Sequence, residues 1–164
     1  LMPLPVVAIV GRPNVGKSSL FNWLAGRRIS IVDPTAGVTR DRLSTVVQAD
    51  GRPFELVDTG GMGIQDKDNL TEDVERQIAY AIESASVVLF IVDVRDGLVP
   101  LDQDVAARLR RANKPVVFVA NKTDDPKFLP GAADFYSLGF GEPLCVSANQ
   151  LLGKDDLLGR ILEH

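Results

Sequence analysis

The sequence predicts an α/β fold: a three-layer αβα sandwich around a mostly parallel six-stranded sheet with one antiparallel edge strand. Three observations carry this. Short, wholly apolar, β-branched runs recur along the chain, and stretches with helical spacing of apolar residues lie between them. One pair of runs is instead joined by a tight polar turn. Runs apolar on both faces suit strands buried inside a parallel sheet, and parallel neighbours need helical crossovers.

The first such run is Val6-Val7-Ala8-Ile9-Val10, ending at Gly11. Others span Val87 to Val92 and Val116 to Ala120, with a weaker one at Leu144 to Val146. Leu20, Phe21 and Leu24 follow the first run at helical spacing. Val74, Ile78, Ala81 and Ile82 precede the next, Val105 and Leu109 the one after, and Leu157, Leu158 and Ile161 come last. The alternation is the βαβ pattern. Leu43 to Asp50, the turn Asp50-Gly51-Arg52-Pro53 and Phe54 to Val57 read as a hairpin, which supplies the antiparallel edge strand. Two long polar loops, Arg27 to Asp41 and Thr59 to about Asn69, are of a length usually tied to function.

At 164 residues, 45% hydrophobic and 24% charged, the chain fits one globular domain with one core. A net charge of −4, from 18 basic and 22 acidic side chains, lacks the basic surplus of a nucleic-acid-binding domain. Direct nucleic-acid binding is not expected of it. A single cysteine, Cys145, forms no intramolecular disulfide, which suits a reducing, cytoplasmic setting, and it reads as a core residue. No apolar stretch approaches the roughly 20 residues that span a bilayer. Nothing points to an obligate dimer, so a monomer is expected.

Directly after the first strand comes Gly11-Arg12-Pro13-Asn14-Val15-Gly16-Lys17-Ser18, which fits G-x-x-x-x-G-K-[ST] and leads, through Ser19, into a helix. Glycines let backbone wrap a phosphate chain, successive N–H groups and the helix N-terminus supply positive potential, and Lys17 adds a point charge. Ser18 is the expected Mg²⁺ ligand. Asp58-Thr59-Gly60-Gly61, at the end of the third strand, places a carboxylate to reach Mg²⁺ through water and a glycine N–H to face a γ-phosphate.

Asn121-Lys122-Thr123-Asp124 follows the strand Val116 to Ala120, at a carboxyl end where open α/β sheets bind ligands. A carboxylate at Asp124 accepts both N1–H and the 2-amino hydrogens of guanine, a donor pair adenine lacks, so it selects GTP and GDP over adenine nucleotides. Asn121 would brace the loop and Lys122 cover the base. Ser147-Ala148-Asn149, after the last strand, offers a backbone N–H for guanine O6. A kinase or ATPase of the same phosphate-binding type is opposed by Asn121 to Asp124. Asp93 and Asp96 read as structural, since Asp96-Gly97 is a turn signature.

These four elements, in this order, resemble the translation-factor class of P-loop GTPases. Gly11 to Ser19, Ala36 to Asp41, Asp58 to Gly61, Asn121 to Asp124 and Asp134-Phe135-Tyr136-Ser137-Leu138-Gly139 together resemble the first GTPase domain of the Der (EngA) family, over essentially the whole chain. The last stretch separates it from the relatives Era and MnmE. The resemblance implies a GTP-hydrolysing switch needed for assembly of the large ribosomal subunit. It also implies that this chain is a fragment of a protein with a second GTPase domain and a KH-like domain. Leu151 departs from the family, which usually has glycine there.

Many GTPases orient the attacking water with a glutamine just after the D-x-x-G element; here that position is Met62, which cannot polarise water. Asn14 matches the asparagine with which related GTPases hold K⁺ against the phosphates, so hydrolysis is expected to be stimulated by K⁺ and to rest on Asn14, Lys17, Thr39 and Gly61. Thr39, in the first polar loop, is the expected second protein ligand to Mg²⁺. A regulatory module that senses guanine nucleotide with little hydrolysis of its own is the alternative.

Overall fold

The computed structural model describes residues 4–12, 15–26, 31–32, 43–49, 51–59, 70–121, 134–141, 143–147 and 154–164. In chain order the strands are β1 (Val6–Val10), β2 (Ile31–Val32), β3 (Leu43–Ala49), β4 (Arg52–Asp58), β5 (Val87–Asp93), β6 (Val116–Asn121) and β7 (Leu144–Cys145). The helices are α1 (Lys17–Ala25), α2 (Leu70–Ser84), α3 (Pro100–Ala112) and α4 (Lys154–Leu162). They build one sheet of order β2-β3-β4-β1-β5-β6-β7. β4, β1, β5, β6 and β7 run parallel, and β3 runs antiparallel to β4. The predicted fold class holds.

Two boundaries differ from the sequence reading. The hairpin turn is shorter, because Ala49 pairs with Arg52 and both Arg52 and Pro53 lie in β4. Within the polar stretch Arg27 to Asp41, Ile31 and Val32 pair antiparallel with Ser44 and Leu43, giving the sheet a seventh, two-residue strand. A β-branched pair next to the edge of β3 finds free ladder positions there.

Alternation along the strands sorts the core into two halves. Val7, Ile9, Leu56, Leu89, Ile91, Val117 and Val119 meet Leu20, Phe21 and Leu24 of α1 and Leu157 and Ile161 of α4. Ala8, Val10, Val88, Phe90, Val92 and Phe118 meet Val74, Ile78 and Ala81 of α2 and Val105 and Leu109 of α3 on the other face. Each fully buried Val, Leu, Ile or Phe side chain among them contributes roughly 1.5–3 kcal/mol. Phe135 and Leu138, in the 3₁₀ turn over residues 134–138, close the second half, and Phe118 meets Phe135 edge-on at 6.2 Å between centroids. The Asp134 to Gly139 stretch is thus anchored through its apolar members, while Tyr136 stays exposed. Cys145 is half-buried against the same cluster.

Register sets up the functional edge. Ile9 lies beside Asp58, and Asp93 beside Asn121, so the carboxyl ends of β1, β4, β5 and β6 sit in line. Among the described residues no helix is long and apolar enough to cross a membrane.

Candidate nucleotide-binding site

The turn from β1 into α1 depends on two glycines. A Cβ on Gly11 would stand 2.7 Å from the carbonyl oxygen of Ile91 and 3.1 Å from Val15 Cγ2, so only glycine lets the chain pass this close to β5. Gly16 caps α1 with φ at 95°, in the left-handed region that disfavours a side chain. No side chain caps α1 and its own first turn holds no acidic residue, so the helix brings its positive end to the site without an acidic side chain of its own.

Lys17, the first residue of α1, turns back over that loop. Its Nζ donates to the carbonyl oxygens of Gly11 and Arg12, each at 2.7 Å. Two of three ammonium hydrogens are thereby fixed in direction, which pre-organises the charge. Burial lowers the Lys17 pKa to about 8; Asp58 pulls it up and Arg12 pushes it further down. With a pKa of about 8 the ammonium is still the major form at neutral pH, and a bound phosphate would hold it charged.

Arg12 leans across to the start of α3. Its Nη2 donates to Asp96 Oδ2 at 2.8 Å, and its Nε lies 3.5 Å from Asp102 Oδ1. Asp102 is fully buried, and burial pushes its pKa up to about 6 against the opposing pull of Arg12. Asp93 Oδ1 accepts the N–H of Arg95 at 2.9 Å, the local structural use expected of that turn.

On the other side of Lys17, Ser18 Oγ donates to Asp58 Oδ2 at 3.1 Å, bringing the start of α1 to the end of β4. Ser18 and Ser19 are exposed, whereas Asp58 and Thr59 are buried. Thr59 Oγ1 donates to Ile9 O at 2.5 Å. Asn121, buried at the end of β6, donates from Nδ2 to Val15 O at 3.0 Å, and Ser147 is buried just past β7. Gly11, Arg12, Val15, Gly16, Lys17, Ser18, Asp58, Thr59 and Asn121 therefore share one edge of the sheet. Pro13, Asn14, Thr39, Gly60, Gly61, Met62, Lys122, Thr123, Asp124, Ala148 and Asn149 lie outside the described residues.

Two residues at this edge escaped the sequence reading. Gln77 of α2 accepts the N–H of Gly11 through Oε1 at 3.3 Å, and Asp102 of α3 faces Arg12. Each had a signal: Gln77 sits three residues after Val74 on the apolar stripe of α2, and Asp102 three before Val105 on that of α3.

Comparison with known proteins fits this geometry. Residues 6–122 match the family described as 50S ribosome-binding GTPase. Proteins called GTPase Der are similar along 99% of this chain: that of Rhodopirellula baltica is 56% identical and that of Ligilactobacillus salivarius 52%. The chain spans 36% and 37% of their lengths. A solved structure of an Aquifex aeolicus Era variant bound to GDP and aluminium fluoride superposes with a TM-score of 0.77 at 33% identity, over 99% of this chain and 57% of that one. The G domain of the T. maritima FeoB iron transporter gives a TM-score of 0.74 at 24% identity over 98% of both chains, which speaks for the fold alone. With its phosphate loop, its Ser18–Asp58 pair and its Asn121 brace on one sheet edge, the chain belongs to the 50S ribosome-binding GTPase family, as a guanine-nucleotide-binding switch domain related to GTPase Der.

Proposed function

We propose that this chain is the first of two GTPase domains in a longer cytoplasmic protein, and that it cycles between GTP and GDP states in assembly of the large ribosomal subunit. The observation that carries its catalytic part is the Ser18 Oγ–Asp58 Oδ2 pair at 3.1 Å, flanked by the Lys17 ammonium. A hydroxyl and a carboxylate are the hard oxygen donors Mg²⁺ prefers, and that ion keeps waters and phosphate oxygens for the rest of its shell. Ser18 would bind it directly, Asp58 through water, and Thr39 in the GTP state. Bound there, Mg²⁺ neutralises charge on the β and γ phosphates. The chain's own residues hold the phosphates through the backbone after Gly11 and through Lys17, with guanine read by Asp124. The ribosomal role draws on the family's description and on the resemblance to Der.

Met62 stands where a water-orienting glutamine is common, so a cation near Asn14 is the proposed source of rate. The same Met62 favours the second reading, a nucleotide-sensing module with little hydrolysis of its own. GTP hydrolysis with Mg²⁺, in KCl against NaCl at equal ionic strength, separates them. Stimulation by K⁺ that vanishes in Asn14→Ala supports the cation-assisted enzyme; equal slow rates in both salts with GTP still bound support the sensor.

A further inference from the structure

Gln77 lies two turns into α2 and is buried to 2% exposure, on a helix face otherwise filled by Val74, Ile78 and Ala81. An amide on such a face is unfavourable for packing unless its hydrogen bonds are made. Here Oε1 accepts the N–H of Gly11 at 3.3 Å and stands 3.3 Å from Thr59 Oγ1. The single hydroxyl hydrogen of Thr59 is directed at Ile9 O, 2.5 Å away, so the Gly11 N–H is the donor that Gln77 serves and Thr59 packs against the same oxygen. One buried oxygen of α2 thus bonds the first residue of the phosphate-binding loop and lies in contact with the residue after Asp58. Gly11 is the residue whose carbonyl also holds Lys17.

We infer that Gln77 is a positioning residue that couples the phosphate grip at Gly11 and Lys17 to the Asp58-Thr59 end of β4. Thr59 is the second residue of the D-x-x-G element proposed to read the γ-phosphate, so the coupling favours GTP over GDP. The inference rests on that reading of the site. It assigns Gln77 no contact with nucleotide; the residue acts through Gly11 and Thr59.

The test is the affinity of the protein for GDP and for a non-hydrolysable GTP analogue, each with Mg²⁺, in the parent, in Gln77→Met and in Gln77→Asn. Methionine keeps the volume without the acceptor, and asparagine keeps an amide too short to reach Gly11. In either variant the Kd for the GTP analogue should rise about tenfold, and that for GDP less than about threefold, the scale of one lost buried hydrogen bond. Equal weakening of both nucleotides, or no change in either, overturns the coupling and leaves Gln77 as a core residue. If the parent failed to bind GDP, the nucleotide site itself would be wrong. Should the methionine variant not fold, the smaller asparagine side chain gives the same comparison.

Discussion

Asn121 Nδ2 donates a hydrogen bond of 3.0 Å to the carbonyl oxygen of Val15, joining the end of β6 to the phosphate-binding loop across 106 positions of sequence. Both residues are buried, so neither group has water as a ready substitute. Replacing Asn121 with leucine leaves the Val15 carbonyl unsatisfied, at a cost of about 1–3 kcal/mol. Because the bond braces the loop in every nucleotide state, GDP and GTP affinity should both fall by at least about tenfold. Fluorescent nucleotide titration with a thermal melt checks the pair of effects.

Gly11→Ala should be worse than its size suggests. The new methyl would meet the Ile91 carbonyl at 2.7 Å, a backbone atom of a central strand that cannot swing away. Overpacking of this kind costs typically about 1–3 kcal/mol, which lowers the melting temperature by roughly 3–10 °C for a domain of this size. Nucleotide affinity should fall as well, since the same shift moves the carbonyl that holds Lys17. A melt showing parental stability would mean that the β1 to α1 passage has more room than described.

Asp102 makes a signed prediction about pH. Its folded pKa is about 6, above the ordinary 3.8, because burial disfavours the carboxylate more than Arg12 favours it. The folded state then holds a proton that the unfolded state has released, so this group's contribution is present below about pH 4 and lost as pH rises through about 6. Asp102→Asn removes that loss. Its stability relative to the parent should improve by roughly 2 kcal/mol between about pH 4 and pH 7. Denaturant titrations of both proteins at the two pH values measure it; a constant or shrinking difference contradicts the assignment.

Much of this was legible in the sequence, for identifiable reasons. β1, β5 and β6 announce themselves because a strand buried on both faces must be apolar throughout, as Val87 to Val92 is. Gly11 to Ser18 is legible because phosphate wrapping demands glycine at fixed places. Ile31–Val32 was not, since two residues carry no period and their pairing is decided by the edge of β3. Gln77 and Asp102 were not assigned because their partners, Gly11 and Arg12, come from another part of the chain. A polar residue on an apolar stripe marks the place where such a partner exists without saying which.

In the function proposed above, Lys17, Ser18 and Asp58 form the metal and phosphate site of a guanine-specific hydrolase. The most direct measurement is steady-state GTP hydrolysis with Mg²⁺ by the parent and by Ser18→Ala, with and without excess ATP. Expected is saturable GTP turnover that excess ATP leaves intact and that falls at least about a hundredfold in Ser18→Ala, the scale of losing a group that stabilises charge in the transition state. Turnover undiminished in Ser18→Ala, or inhibited by ATP as strongly as by GDP, would contradict it.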